Sequence, residues 1–157
     1  MVQSIFTERK LKNSGFKDCI EKGLLRRIPC SKEKAEGSIK AARRWLREAR
    51  VNLENEVYNS SLLSSYLAMF HSARAILYLD GYREKSHYCV GRYIEEKYVR
   101  KGLLEGKWIE LLDHYRSLRH RDQYSVNFYA TGDEAKKAIE TAEDFISIMK
   151  NLLQSKT

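Results

Sequence analysis

The chain has 157 residues, 43% hydrophobic and 32% charged, with a formal net charge of +8. That length suits one domain with a sizeable core, and no run approaches the roughly 18 apolar residues of a membrane span, so no membrane partner is expected. Residues 1–50 hold 14 Lys and Arg against 6 Asp and Glu, whereas residues 51–157 hold 15 of each, so the excess charge lies wholly in the first third. Such asymmetry suits a polyanion, and equally a solvated helix surface.

Met1 to Lys12 lack the apolar run of a secretory signal, which predicts a cytoplasmic protein. Residues 1–30 read as a basic leader in which Phe16, Ile20, Leu24 and Leu25 suggest a short helix ending near Gly23 and Pro29. Cys19, Cys30 and Cys89 lack CxxC spacing and flanking histidine pairs, so they are read as reduced and structural, and neither a metal nor another cofactor is implied.

Residues 31–157 read as the domain proper. From Ser31, an N-cap, apolar residues recur as Ala35, Ile39, Ala42, Leu46, Ala49 and Leu53 along one helix face. Beside them Lys40, Arg43, Arg47 and Arg50 share the same spacing and form a cationic stripe, a candidate phosphate-binding surface. A central helix is expected from Asn59 or Ser60 to Gly81, apolar around most of its girth except for a polar strip of His71, Arg74 and Tyr78. Ser86 caps a third helix that carries Val90, Tyr93, Ile94 and Tyr98 and stops at Gly102. A fourth starts at Lys107 with a seam of Trp108, Leu111, Tyr115 and Leu118. The last opens with the capping box Thr131 to Glu134 and carries Ala135, Ala138, Ala142, Phe145, Met149 and Leu152. The expected fold is all-α, an antiparallel up-and-down bundle of four long helices with a short N-terminal helix.

The fourth seam, continued, places Asp122 at an inward position, and Arg119 one turn earlier is its expected partner. Arg116, His120, Arg121 and Tyr124 crowd the same helix end. A buried polar network that fixes packing or dimer register is the alternative reading of this cluster.

The block Ser65 to Leu77, then Gly81, then Lys85-Ser86-His87, followed by Leu118-Arg119-His120-Arg121-Asp122-Gln123-Tyr124, resembles the HEPN (higher eukaryotes and prokaryotes nucleotide-binding) family over roughly residues 16–155. In its ribonuclease members an Arg followed after four to six residues by a His forms a metal-independent site in a cleft between two protomers. This chain instead is similar to the branch reading Arg, two variable residues, Ala, Asp, Tyr, with Asp122 and Gln123 in place of Ala-Asp, and no His follows Gln123. The resemblance implies RNA or a nucleotide as ligand, a homodimer, and a toxin role paired with a minimal nucleotidyltransferase antitoxin. Together with that resemblance, the residues give Arg119, Tyr124 and His120 as catalytic candidates, Arg116, Arg121, Lys40, Arg43, Arg47 and Arg50 as phosphate contacts, and Asp122, His71, Arg74 and His87 as a supporting network. Without the family's histidine, a non-catalytic interaction or nucleotide-binding module is the alternative.

Overall fold

The computed structural model describes residues 14–156, so the first part of the basic leader lies outside the described residues. The described elements run α1 (Ser14–Glu21), β1 (Leu25–Arg27), α2 (Lys32–Glu54), α3 (Tyr58–Asp80), β2 (Tyr82–Glu84), α4 (His87–Ile94) with a wide π turn (Glu95–Val99), α5 (Lys107–Tyr124) and α6 (Gly132–Ser155). The fold is an all-α bundle with one two-stranded ribbon attached.

The long helices start and stop where their cap chemistry dictates. Ser31 accepts the Lys34 N–H at 3.1 Å and Thr131 accepts the Glu134 N–H at 3.1 Å, each satisfying a donor the helix cannot. Gly81 ends α3 in the left-handed region at φ 86°, and a Cβ there would stand 2.8 Å from the Ile28 carbonyl oxygen. Ser86 precedes α4 as expected but makes no side-chain cap bond.

α3 is the core helix. Leu62, Tyr66, Met69, Ile76 and Leu77 are fully buried, each contributing about 2 kcal/mol by burial. Its small residues let α2 approach closely: the Ser61 hydroxyl donates to the Ala49 carbonyl at 2.8 Å, and the Ser38 hydroxyl of α2 donates to the His71 carbonyl at 2.6 Å. The inward residues of α6, among them Ala138, Ala142, Phe145 and Met149, close the core as their spacing predicts.

Three features depart from the sequence expectation. Leu25–Arg27 is a strand rather than helix, paired antiparallel with Tyr82–Glu84 in the register Leu25↔Glu84, and this ribbon ties the leader to the end of α3. Cys19 and Cys89 form a disulfide rather than remaining thiols, because the ribbon brings α1 against α4 with the two Cα atoms 5.9 Å apart; Cys30 alone is free and exposed. The third helix is short and continues as a π turn, whose wider spiral lets Tyr93 and Tyr98 both donate to Asp80, at 2.8 and 2.7 Å.

The inward line of α5 is also shifted by one position. Ile109, Leu112 and Tyr115 are buried, whereas Trp108, Leu111 and Leu118 are half-buried. Two apolar lines run along this helix at three and four residue steps, and packing against α3 and α4 selects the one through Ile109 and Leu112. Extended by the same steps, that line reaches Arg116 and Arg119. The helix therefore carries two guanidinium groups on its buried side.

Candidate functional site

Arg116 and Arg119 enter an angle between α3 and the start of α4 that is walled by aromatic rings. Tyr66, Phe70 and Arg74 follow one another at four-residue steps on α3, with His71 beside Phe70. The His87 imidazole lies flat on the Phe70 ring, 3.9 Å between centroids and 6° between planes. His71 meets the same ring edge-on at 5.5 Å. His87 Nδ1 is 2.9 Å from the Tyr66 hydroxyl, and the Arg119 guanidinium sits over the Tyr66 ring at 5.6 Å.

The cations here differ in how they are held. Arg74 Nε lies 2.8 Å from Glu84 Oε1, a nearly buried carboxylate on β2, and its guanidinium caps Phe70 at 5.8 Å and Tyr78 at 5.1 Å. Arg92, buried, pairs with Asp113 at 2.5 Å, which also accepts from Arg116 at 3.4 Å. Arg92 and Arg116 share the Tyr88 ring at 4.8 and 5.2 Å. Arg119 forms no ion pair among the described residues. The Nε atoms of Arg92, Arg116 and Arg119 are all buried without a hydrogen-bond acceptor, so what sets Arg119 apart is the lack of an ion pair among the described residues. Unpaired buried donors on cations are expensive unless an anion meets them.

Burial, and after it this field, sets the protonation of the neighbours. Burial first, then Arg119, Arg74, His71 and Arg116, push the His87 imidazole down to about 4. His71 falls to about 4 through burial, Arg74 and Arg44. Burial raises the Tyr66 phenol, opposed by Arg119 and Arg116. At neutral pH the site thus holds two uncharged imidazoles and a protonated tyrosine beneath a positive potential, an arrangement suited to an anion.

The residues singled out from the sequence divide between two faces of α5. Arg116 and Arg119 join His71, Arg74 and His87 on the inner face. His120 and Tyr124 pair with one another at 4.8 Å on the outer face, where Tyr124 is 71% exposed, and exposed Arg121 rests over Phe128 at 5.4 Å. Asp122 makes no ion pair with Arg119 among the described residues. Its half-buried carboxyl is raised chiefly by burial, against a lowering influence from Asn59. That asparagine's amide donates to the Phe128 carbonyl at 3.0 Å and its oxygen accepts the Ala130 N–H at 2.8 Å, holding the loop after α5. Of the α2 stripe, Arg50 is bound to Glu143 of α6 at 2.8 Å, Lys40 and Arg43 border a groove shared with α6, and Arg47 is exposed. The α2 cation whose field reaches the site is Arg44. Among the described residues no group of three His, Cys, Asp or Glu could hold a metal ion.

Residues 35–152 match the HEPN domain model, three quarters of the chain. The chain belongs to the HEPN family. It is 28% identical over 123 residues to "Putative toxin MJ0605" of Methanocaldococcus jannaschii, a match covering 78% of this chain and 91% of that one. It is 34% identical over 94 residues to the UPF0332 protein PH1297 of Pyrococcus horikoshii, covering 60% of this chain and 66% of the relative. A UPF0332 protein of Archaeoglobus fulgidus is 28% identical over 119 residues, 76% of this chain and 94% of its own. The match takes in every residue of the Tyr66, His87 and Arg119 cluster, so the cluster is part of the HEPN domain itself. Tyr66, Phe70, Tyr88, Arg92 and Asp113 were absent from the sequence-derived site. For Tyr66 and Phe70 the signal is an aromatic residue repeated after four positions and followed by Arg74 after four more, which also reads as ordinary core; Tyr88, Arg92 and Asp113 carry no such signal.

Proposed function

We propose that this protein is an RNA-directed HEPN toxin that binds a phosphodiester at Arg119 and Arg116 and cleaves it without metal, with His87 as proton acceptor. The observation that supports it most is the placement of His87, fixed between Phe70 and the Tyr66 hydroxyl beside two guanidinium groups with unpaired donors. With the Nδ1 proton donated to the Tyr66 oxygen, the Nε2 lone pair is free to take the proton of a ribose 2′-hydroxyl. That oxygen attacks phosphorus, the two arginines hold the charge that develops on the phosphoryl oxygens, and the imidazolium returns its proton to the departing 5′-oxygen. The products are a 2′,3′-cyclic phosphate and a 5′-hydroxyl end. An imidazole at about 4 is a weak base in the empty site, but a bound phosphate cancels part of the guanidinium field and raises it.

The toxin role rests on the naming of the M. jannaschii relative and on family membership. The family likeness also supports a minimal nucleotidyltransferase as antitoxin and a homodimer with the cleft at the protomer boundary. The exposed apolar tip after α5, with Val126 87% and Tyr129 81% exposed, offers the dimer a surface beside the site. The same tip favours the second reading, a non-catalytic module that acts by contact through Tyr124, Val126 and Tyr129. Incubating single-stranded RNA with pure protein in EDTA separates the two. The proposal expects cyclic-phosphate ends from the parent and about 10²-fold slower formation of them by His87→Ala, whereas RNA left intact by the parent favours the contact module.

A further inference from the structure

On the other flank of α2, away from the Arg119 site, the start of α2 and the ends of α3 and α6 meet around a small apolar cluster separate from the main core. Ala35, Ile39 and Ala75 are buried there, with Tyr78, Leu79 and Leu153 half-buried against them. A groove of about 340 Å³ opens over Ile39, Leu79 and Leu153. Its rim carries Lys32, Lys40, Arg43 and Lys150 against a single acid, Glu36. None of these four cations forms an ion pair among the described residues, whereas Arg50, two turns further along α2, is neutralised by Glu143.

The composition of this groove selects its occupant. The apolar side chains along it are aliphatic, so it offers no ring on which a nucleobase can stack, the usual anchor of single-stranded RNA. Its apolar surface is recessed between helices rather than protruding, which is the wrong shape for insertion into a bilayer. A recessed aliphatic strip flanked by helices and ringed by free cations matches a helix with apolar residues at three and four residue spacing and carboxylates on either side.

We propose that the groove formed by α2, α3 and α6 docks an acidic amphipathic helix of a protein partner, with leucine-type side chains over Ile39, Leu79 and Leu153 and carboxylates on Lys32, Lys40, Arg43 and Lys150. The docking is independent of the phosphodiester chemistry, because the groove shares no residue with the Arg119 cluster.

The test uses a fluorescent synthetic helix of about 18 residues, with leucines on one face and glutamates on its flanks, and a twin with lysines for glutamates. Anisotropy is expected to show saturable binding of the acidic helix only, weakened about tenfold or more by the exposed pair K40E/R43E and unchanged by R119A. Circular dichroism of K40E/R43E should match the parent. Equal binding of the lysine twin, or undiminished binding to K40E/R43E, would overturn the proposal. So would displacement of the helix by single-stranded RNA, or K40E/R43E-sensitive binding to phosphatidylserine vesicles, each of which assigns the groove to a different partner.

Discussion

The two faces of the last turns of α5 lie among the same residue types, supplied inward by α3 and α4 and outward by α5 itself, with opposite surroundings. Inward, Arg116 and Arg119 meet Tyr66, Tyr88 and His87, lose water, and impose their field on imidazoles that burial has already shifted. Outward, His120, Arg121 and Tyr124 touch one another and Phe128 in solvent, where ionic interactions are screened. An arginine, an imidazole and a tyrosine occur on each side, so composition does not distinguish them. The inner face has groups held at fixed distances by a core helix, and that constraint, rather than the presence of a histidine in a motif, is what chemistry requires.

The comparison makes unequal demands on the two faces. Removing the unpaired inner cation with R119A should have the largest effect, lowering RNA cleavage roughly 10²–10³-fold, as loss of one positioned donor to a developing anion does. A rate within twofold of the parent would move the site elsewhere. H87A should lower cleavage by about 10²-fold while leaving RNA affinity within a few-fold, because the proposed roles give the proton to the imidazole and the phosphate to the arginines. Parallel loss of binding and rate would instead give His87 a structural role.

The histidines also predict a pH response. His87 and His71 bind protons less readily in the fold than in the unfolded chain, which has an ordinary value of 6.5 against about 4. Their neutral forms therefore contribute stability that is complete above pH 6.5 and declines as pH falls from 6.5 to 4. The melting temperature should drop across that window, and H71N/H87N should flatten the drop; an unchanged pH profile in the double variant would sink this assignment. The smallest effect is expected outside, where H120A and Y124F should each alter cleavage less than about twofold. A tenfold loss in either would return the catalytic role to the outer face.

Much of the fold was legible because local chemistry decides it: Ser31 and Thr131 cap the helices they announce, Gly81 ends α3, and the face from Ala35 to Ala49 is buried as its spacing requires. The ribbon was not, since Leu25–Arg27 is too short to show a period and its partner lies on the far side of α2 and α3 in sequence. The Cys19 to Cys89 pairing depends on that same ribbon. Within the site, Arg119 was legible and its company was not. α5 carries two apolar lines, and the more continuous one, through Trp108, Leu111 and Leu118, points to Asp122 as the inward anomaly. Tertiary packing uses the line through Ile109 and Leu112, which brings Arg116 and Arg119 inside and turns His120 and Tyr124 out. His87 was legible only as a supporting residue, because nothing local shows that α4 sets it against Phe70 and Tyr66.

Following the His87 ring resonances through a pH titration, with and without an uncleavable RNA carrying 2′-deoxyribose at the target position, tests phosphodiester binding at the inner face most directly. A phosphodiester seated on Arg116 and Arg119 should raise the His87 midpoint clearly above its unliganded value of about 4. An unchanged His87 midpoint in the RNA complex, with the His120 resonances perturbed instead, would contradict it.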